Sequence, residues 1–299
     1  MASLMDAVVF VGVATHDTIA LMQRFPEPDE RLVADDLCIA GGGPAATAAV
    51  AAARLGVPAA FVGTVGADEE GRRIVEGLQA EGVDVSGVTV AAGQPSGASV
   101  IVVDRSRGTR AICTRPGPQP DVSAAAAAVL TSNWLHVDHL GWAPVAAMLS
   151  GRTTTLPHLA VDAGNPIPGF TAADVELYVP TVEALRASHG DLDVDQLLAT
   201  ALATGPHTVV ATDGPRGSYA ATREGERCHV PGVPAEVVST LGAGDVFHGA
   251  LVAAQVRGLP LRDCLAYANI AAALSCRGLD GRSAIPTHDE VAALLPSLT

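Results

Sequence analysis

The stretch from Val238 to Leu251, VSTLGAGDVFHGAL, constrains this chain more than any other. A β-leaning segment containing Val237 and Val238 runs into a Gly242-Ala243-Gly244 turn. Asp245 then stands where a helix should begin, and Val246, Phe247, Ala250 and Leu251 give that helix an apolar face. Small residues let a backbone approach a ligand closely. The free N–H groups and positive dipole end of a helix start suit phosphate oxygens. A carboxylate beside such an anion hole can take a proton from an attacking hydroxyl while the hole steadies charge on the transferring group. The competing reading is a plain glycine turn with an acid near a helix N-terminus, which is common.

Composition removes several classes. The chain has 299 residues, 48% hydrophobic, enough for one large α/β domain or two ordinary ones. A formal charge of −14 argues against nucleic acid or an anionic membrane as partner. All 18 basic residues are arginine. Without lysine there is no Walker A loop and no Schiff-base or pyridoxal chemistry. Five scattered cysteines with no C-x-x-C pair read as reduced thiols of a cytoplasmic protein. No signal peptide or membrane span is expected.

Along the chain, Ala7 to Val13 reads as a buried first strand, followed at its carboxyl end by His16 and Asp17. Ligands gather at such ends, and Asp17 suits a pair of sugar hydroxyls. Leu21 to Ile39 reads as strands outside the main sheet, with Arg31 in the middle. Gly41-Gly42-Gly43-Pro44 opens a strong helix, Ala45 to Leu55. Gly41-x-Gly43-x-x-Ala46 nominally matches a dinucleotide fingerprint and so raises an NAD-dependent reading. The preceding segment is a poor core strand, and no acid closes the next strand. Close approach of Gly42 and Gly43 to a small polar substrate is the better use.

A hairpin around Arg105 to Gly108 is expected to pair with the early outlying strands. Together they form a small sheet, a lid over about 14–40 and 94–117 of a single domain spanning 1–299. Beyond it the pattern is regular β/α. His136, Asp138, His139 and Asp162 lie at strand ends but lack compact metal-ligand spacing, so structural or substrate hydrogen bonding is preferred. Thr212, Gly214 and Gly217 are spaced to hold a nucleotide phosphate on backbone amides.

Four stretches, in order, carry a family resemblance: GGGPAATAAVAAARLG, FVGTVGADEEGRRIVEGLQAEGV, TDGPRG and LGAGDVFHGAL. They resemble the signatures of ribokinase-like (PfkB) carbohydrate kinases. The resemblance covers essentially the whole chain. It implies a three-layer α/β sandwich with a mostly parallel sheet of about nine strands and a small β-sheet lid that often forms a dimer clasp. It also implies ATP- and Mg²⁺-dependent phosphoryl transfer to a sugar hydroxymethyl group. Asp245 would be the base, with Gly242, Ala243 and Gly244 as anion hole. Asp17, Gly42 and Gly43 would contact the sugar. Thr212, Gly214 and Gly217 would meet the nucleotide, with Asn269 near the adenine. Such transfer is mostly positioning plus charge stabilisation.

Within the family, the first signature and GAGDVFHGAL look most like the sulfofructose kinase branch. Arg31 falls where that branch carries a basic residue for the substrate's anionic end. Thr114 stands where it carries an amide, and Leu140 near where it carries a second arginine. Ser239 replaces the acid that helps organise a monovalent-cation site, which argues against potassium activation. Ala46 replaces a common asparagine. The family's N-x-x-E, which organises water around Mg²⁺, is missing from Pro180 to Ala184; Glu183, one position off, is the residue left to act through water. These losses keep open a kinase-fold sugar or nucleotide binder with little turnover; a nucleoside kinase also stays open, since the lid interior decides the acceptor.

Overall fold

The computed structural model describes residues 7–151 and 156–297. Its first strand, β1 (Val8–Val11), shows how the core is organised. Val8 and Phe10 pack on one side with helical alanines, while Val9 and Val11 pack on the other with Val129 and Val145. Successive strand side chains point to opposite faces, so a strand apolar at every position needs a helical layer on each side.

In chain order the elements are β1, β2 (Thr15–Met22), β3 (Asp36–Gly42), α1 (Pro44–Arg54), β4 (Ala59–Gly66), α2 (Glu69–Ala80), β5 (Asp84–Ala91), β6 (Gly97–Asp104) and β7 (Thr109–Arg115). Then come α3 (Ala126–Thr131), β8 (Trp134–Val137), α4 (Trp142–Leu149), β9 (His158–Ala163), β10 (Leu177–Pro180), α5 (Val182–His189), α6 (Val194–Ala203) and β11 (Thr208–Thr212). The chain closes with β12 (Ser218–Thr222), β13 (Arg227–Val230), α7 (Ala243–Val256), α8 (Leu261–Ser275) and α9 (His288–Leu294).

Nine strands form one sheet in the order β13-β12-β11-β10-β9-β8-β1-β4-β5. It is parallel from β5 to β11, and β12 and β13 are antiparallel. Helices α1, α7 and α8 pack on one face around Tyr267, Phe61 and Leu55. Val129 of α3 and Val145 of α4 cover the other face, continued by α5 and α6. This is the expected ribokinase-like three-layer α/β arrangement.

Four strands form a separate sheet, β3-β2-β6-β7. Ile19, Leu21, Ile101 and Val103 line its inner face and pack on Leu241 and Leu279. The small sheet is thereby seated on the loop that leads into α7.

Three local expectations are corrected. The segment before the Gly-Ala-Gly turn is a loop: Pro231 and Pro234 lack N–H donors for a ladder, and Val238 and Ser239 instead donate to the Cys276 carbonyl. Asp17 does not end the first strand but sits inside β2, buried. Leu21 to Ile39 is mostly loop; the two strands flank it, and Arg31 lies between them, exposed. Among the described residues no helix is long and apolar enough to cross a membrane.

Candidate active site

One cavity gathers residues from four distant stretches. Asp17 and Ile19 reach it from β2, Gly41, Gly42 and Gly43 from the entry to α1, Leu241, Gly242 and Asp245 from the entry to α7, and Gly281 from the loop between α8 and α9. Of the residues named in the sequence, Asp17, Gly42, Gly43, Gly242 and Asp245 are brought together here.

The backbone geometry at this junction depends on missing side chains. Gly242 is the N-cap of α7 with φ 72°, and a Cβ there would lie 2.8 Å from the Gly281 Cα. A Cβ on Gly42 would collide with the Asp17 carboxylate. By contrast, a Cβ on Gly244 would meet nothing within 4 Å. Gly244 is exposed at the start of the helix, where first-turn N–H groups have no acceptor within the helix. This open end is the stretch for which the sequence reading expects an anion hole.

Asp245 stands half-buried in the first turn of α7. Burial, with Asp162 and Asp138 nearby, pushes its carboxyl up to about 7, while His248 and Arg282 pull the other way. A carboxyl poised there is matched to accepting a proton at neutral pH. Burial also raises Asp17, whose Oδ1 is enclosed and without a hydrogen-bond partner. A buried unsatisfied oxygen is costly.

Arg282 is the residue that sequence reasoning missed. It is buried, with its Nη2 donating to the Gly42 carbonyl at 2.7 Å and its Nε to Thr47 Oγ1 at 3.2 Å. Its loop is held by Arg54, which donates to the Arg282, Ser283 and Ile285 carbonyls and pairs with Glu81 at 2.6 Å. Burial lowers the guanidinium to about 10, with Asp17 and Asp245 opposing. The only sequence signal was an arginine in a glycine-containing loop, Arg277 to Arg282.

The strand-end cluster splits in two. Asp138 is structural: it accepts from the N–H groups of Val13, Ala45, Leu140 and Gly141 at 2.7–3.3 Å, tying β1, α1 and α4 together. Asp162 pairs with His248 instead. Among the described residues no group of three or more His, Cys, Asp or Glu is arranged to hold a metal.

Further along the sheet edge, Thr212 ends β11, Gly214 opens a single 3-10 turn, and Gly217 closes it. Arg216 is held by Asp213 at 2.6 Å. Asn269 of α8 is buried and donates to the Val230 and Pro231 carbonyls at 3.0 and 3.3 Å, bracing the chain opposite Gly217. Glu183 is exposed in the first turn of α5. Ser239 is buried, its Oγ accepting from the Leu241 N–H at 3.1 Å. Ala46 is buried in α1. Arg31 does not line the cavity; Thr114 Oγ1 lies 3.3 Å from Ser99 Oγ.

A model of the pfkB family carbohydrate kinases matches residues 5–146 and 171–288. The ribokinase of Bacillus subtilis is 27% identical over 97% of this chain and all of its own length. A bifunctional ribokinase/ribose-5-phosphate isomerase A of Fructilactobacillus sanfranciscensis is 28% identical, and the chain spans 56% of that longer protein. An Arabidopsis thaliana ribokinase, solved with ribose and ATP, superposes with a TM-score of 0.83 at 25% identity, covering 97% of this chain and 98% of that one. The fold and site thus define a sugar kinase, a phosphotransferase. The chain belongs to the pfkB family of carbohydrate kinases.

Proposed function

We propose that this protein transfers the γ-phosphoryl group of ATP to a hydroxymethyl group of a small sugar or sugar derivative. The carrying observation is the single cavity in which Asp17, Gly42, Gly43, Gly242 and Asp245 meet. Asp17, whose carboxylate lies beside Gly42 at the cavity wall, accepts hydrogen bonds from acceptor hydroxyls. Gly42 and Gly43 let the acceptor lie against backbone. Asp245 takes the proton of the attacking hydroxyl. The N–H groups around Gly242, Ala243 and Gly244 steady the charge that develops on the transferring group.

The residues fit the nucleotide that this reaction needs. The exposed start of α7 suits phosphate oxygens. The Thr212–Gly217 turn lies at the end of β11, and Asn269 braces the Val230–Pro231 chain that packs against Gly217. Mg²⁺ supplies charge neutralisation on the phosphates when bound, and Glu183 is assigned to it through water. The Ser239 hydroxyl, uncharged and bonded to its own loop, stands in place of an acid that would organise a monovalent cation, which argues against potassium activation. Arg31 is assigned to an anionic end of the acceptor, met from the 23–35 loop. Arg31→Ala then lowers kcat/KM for anionic sugars and leaves neutral ones unchanged. Leu37, Ile39 and Val100 expose an apolar outer face on the small sheet. It pairs with the same face of a second copy, while the inner face acts as a lid.

The test is ADP release from ATP and Mg²⁺ across ketoses, pentoses, phosphosugars, sulfofructose and nucleosides, with Asp245→Asn as blank. Turnover on a sugar, lost in the blank, supports the reading. Preference for a nucleoside moves the acceptor class. Silence throughout, with ATP still bound, leaves a binder.

A further inference from the structure

Behind Asp245 lies a buried polar cluster with no part in the scheme above. His248 follows Asp245 by three residues on α7 and so lies one turn along the same helix face. Its Nε2 is 3.1 Å from Asp162 Oδ1, and both side chains are buried. The same Asp162 oxygen accepts from the Gly164 N–H at 2.9 Å, which fixes it at the end of β9. His136 of β8 completes the cluster. It is fully buried, neither ring nitrogen has a partner, and its ring centroid is 5.6 Å from that of His248.

A buried ion pair is a poor way to add stability, because desolvation offsets the attraction and apolar residues of like volume often serve as well. Here the pair is set directly under the helix turn that carries the base. We infer that the His248–Asp162 pair is a positioning element for Asp245: it keeps a cation anchored beside the base and sets the pH at which Asp245 can accept a proton. This rests on Asp245 being the base.

The electrostatics agree with the geometry. Burial opposes charge on His248, but Asp162 and Asp245 outweigh it and raise the imidazole above its usual value. Asp162, despite its burial, is held well below the usual carboxylate range by His248. His136 is pushed down to about 3 by burial and stays neutral. The other charges that reach Asp245 are Asp138 from the end of β8 and Arg282 from the loop before α9. Helix α1 meets α7 at Gly249 through the Ala48 carbonyl and the Ala51 Cβ, neither of them titratable. On α8, Tyr267 is occupied by His288 and Cys264 by the Leu259 carbonyl.

The experiment is the pH dependence of kcat from pH 5 to 9, at saturating acceptor and ATP-Mg²⁺, for the wild type, His248→Asn and Asp162→Asn. His248→Asn removes the cation and leaves the acid. Its acidic limb should move up by about one unit, so that turnover at pH 6 falls about tenfold and recovers above pH 8. Asp162→Asn removes the negative neighbour but also the group that holds His248 charged, so the two effects offset and its limb should move less than that of His248→Asn. A structural role alone predicts no upward displacement on loss of the cation. An unmoved limb in His248→Asn, or equal displacements in the two variants, would overturn the inference. Should a variant fail to fold, the imidazole resonances of wild-type His248 decide it. A doubly protonated ring through pH 7 supports the pair, and a neutral ring at pH 6 refutes it. Asp245→Asn is run alongside. Retained turnover there removes the base assignment and the pairing with it, whereas lost turnover with unmoved limbs removes the pairing alone.

Discussion

The Arg282 guanidinium donates to the Gly42 carbonyl at 2.7 Å, joining a loop near the C-terminus to the glycine turn that opens α1. A Cβ on the neighbouring Gly41 would lie 2.3 Å from Arg282 Nη1. The glycines at this turn therefore make room on two sides, for a buried cation below and for the Asp17 carboxylate above.

Arg282→Met should loosen that turn. The Gly42 carbonyl and Thr47 hydroxyl lose a donor, and an unmade buried hydrogen bond costs about 1–3 kcal/mol. The expected result is a lower melting temperature and an acceptor KM raised by about tenfold, with ATP KM nearly unchanged. Equal changes in both KM values would detach Arg282 from the acceptor side.

Asp17→Asn should raise the acceptor KM far more than the ATP KM, because Asp17 lines the acceptor cavity beside Gly42. Initial-rate kinetics with each substrate varied in turn will check this. A change confined to ATP would move Asp17 out of the sugar site.

Asp245→Asn should cut kcat by about 10³-fold, within the usual range for a general base, while ATP binding measured by calorimetry persists. The same substitution should stabilise the fold at pH 8. A carboxyl whose folded pKa is raised to about 7 binds more protons folded than unfolded. Its presence therefore costs stability increasingly as pH rises from about 4 to about 7. The asparagine variant should gain about 1–2 kcal/mol at pH 8, a figure kept modest because the group is only half-buried, and nothing near pH 4. Urea unfolding at the two pH values measures it.

Gly242→Ala and Gly244→Ala should behave oppositely. The first forces a left-handed φ onto a residue whose Cβ meets Gly281, and should destabilise by about 1–2 kcal/mol or more. The second has open space and should fold normally, yet lose turnover if phosphate oxygens approach that backbone. Full activity in Gly244→Ala would remove the helix start from the anion hole.

The sequence by itself determined the layer plan. Strands such as Val8–Val11, apolar at every position, can only be buried on both faces, and Ala-rich stretches such as Ala45 to Leu55 read directly as packed helices. It determined the entry to α7 as well, because Gly242 and Asp245 are local: a turn and the helix it starts lie within a few residues. The pair of strands expected outside the main sheet around Leu21 to Ile39 is present as β2 and β3, but with different bounds, because β propensity reports fit to a pleated, half-buried surface, which the 23–35 loop does not have. Only the tertiary structure decided which distant stretches share the cavity. It placed Arg282 under Gly42 across 240 positions of chain, and it separated Asp138 as a structural acceptor from Asp162 as the partner of His248. Local pattern specifies conformation over a few residues, whereas a buried charge is defined by the groups that packing brings around it.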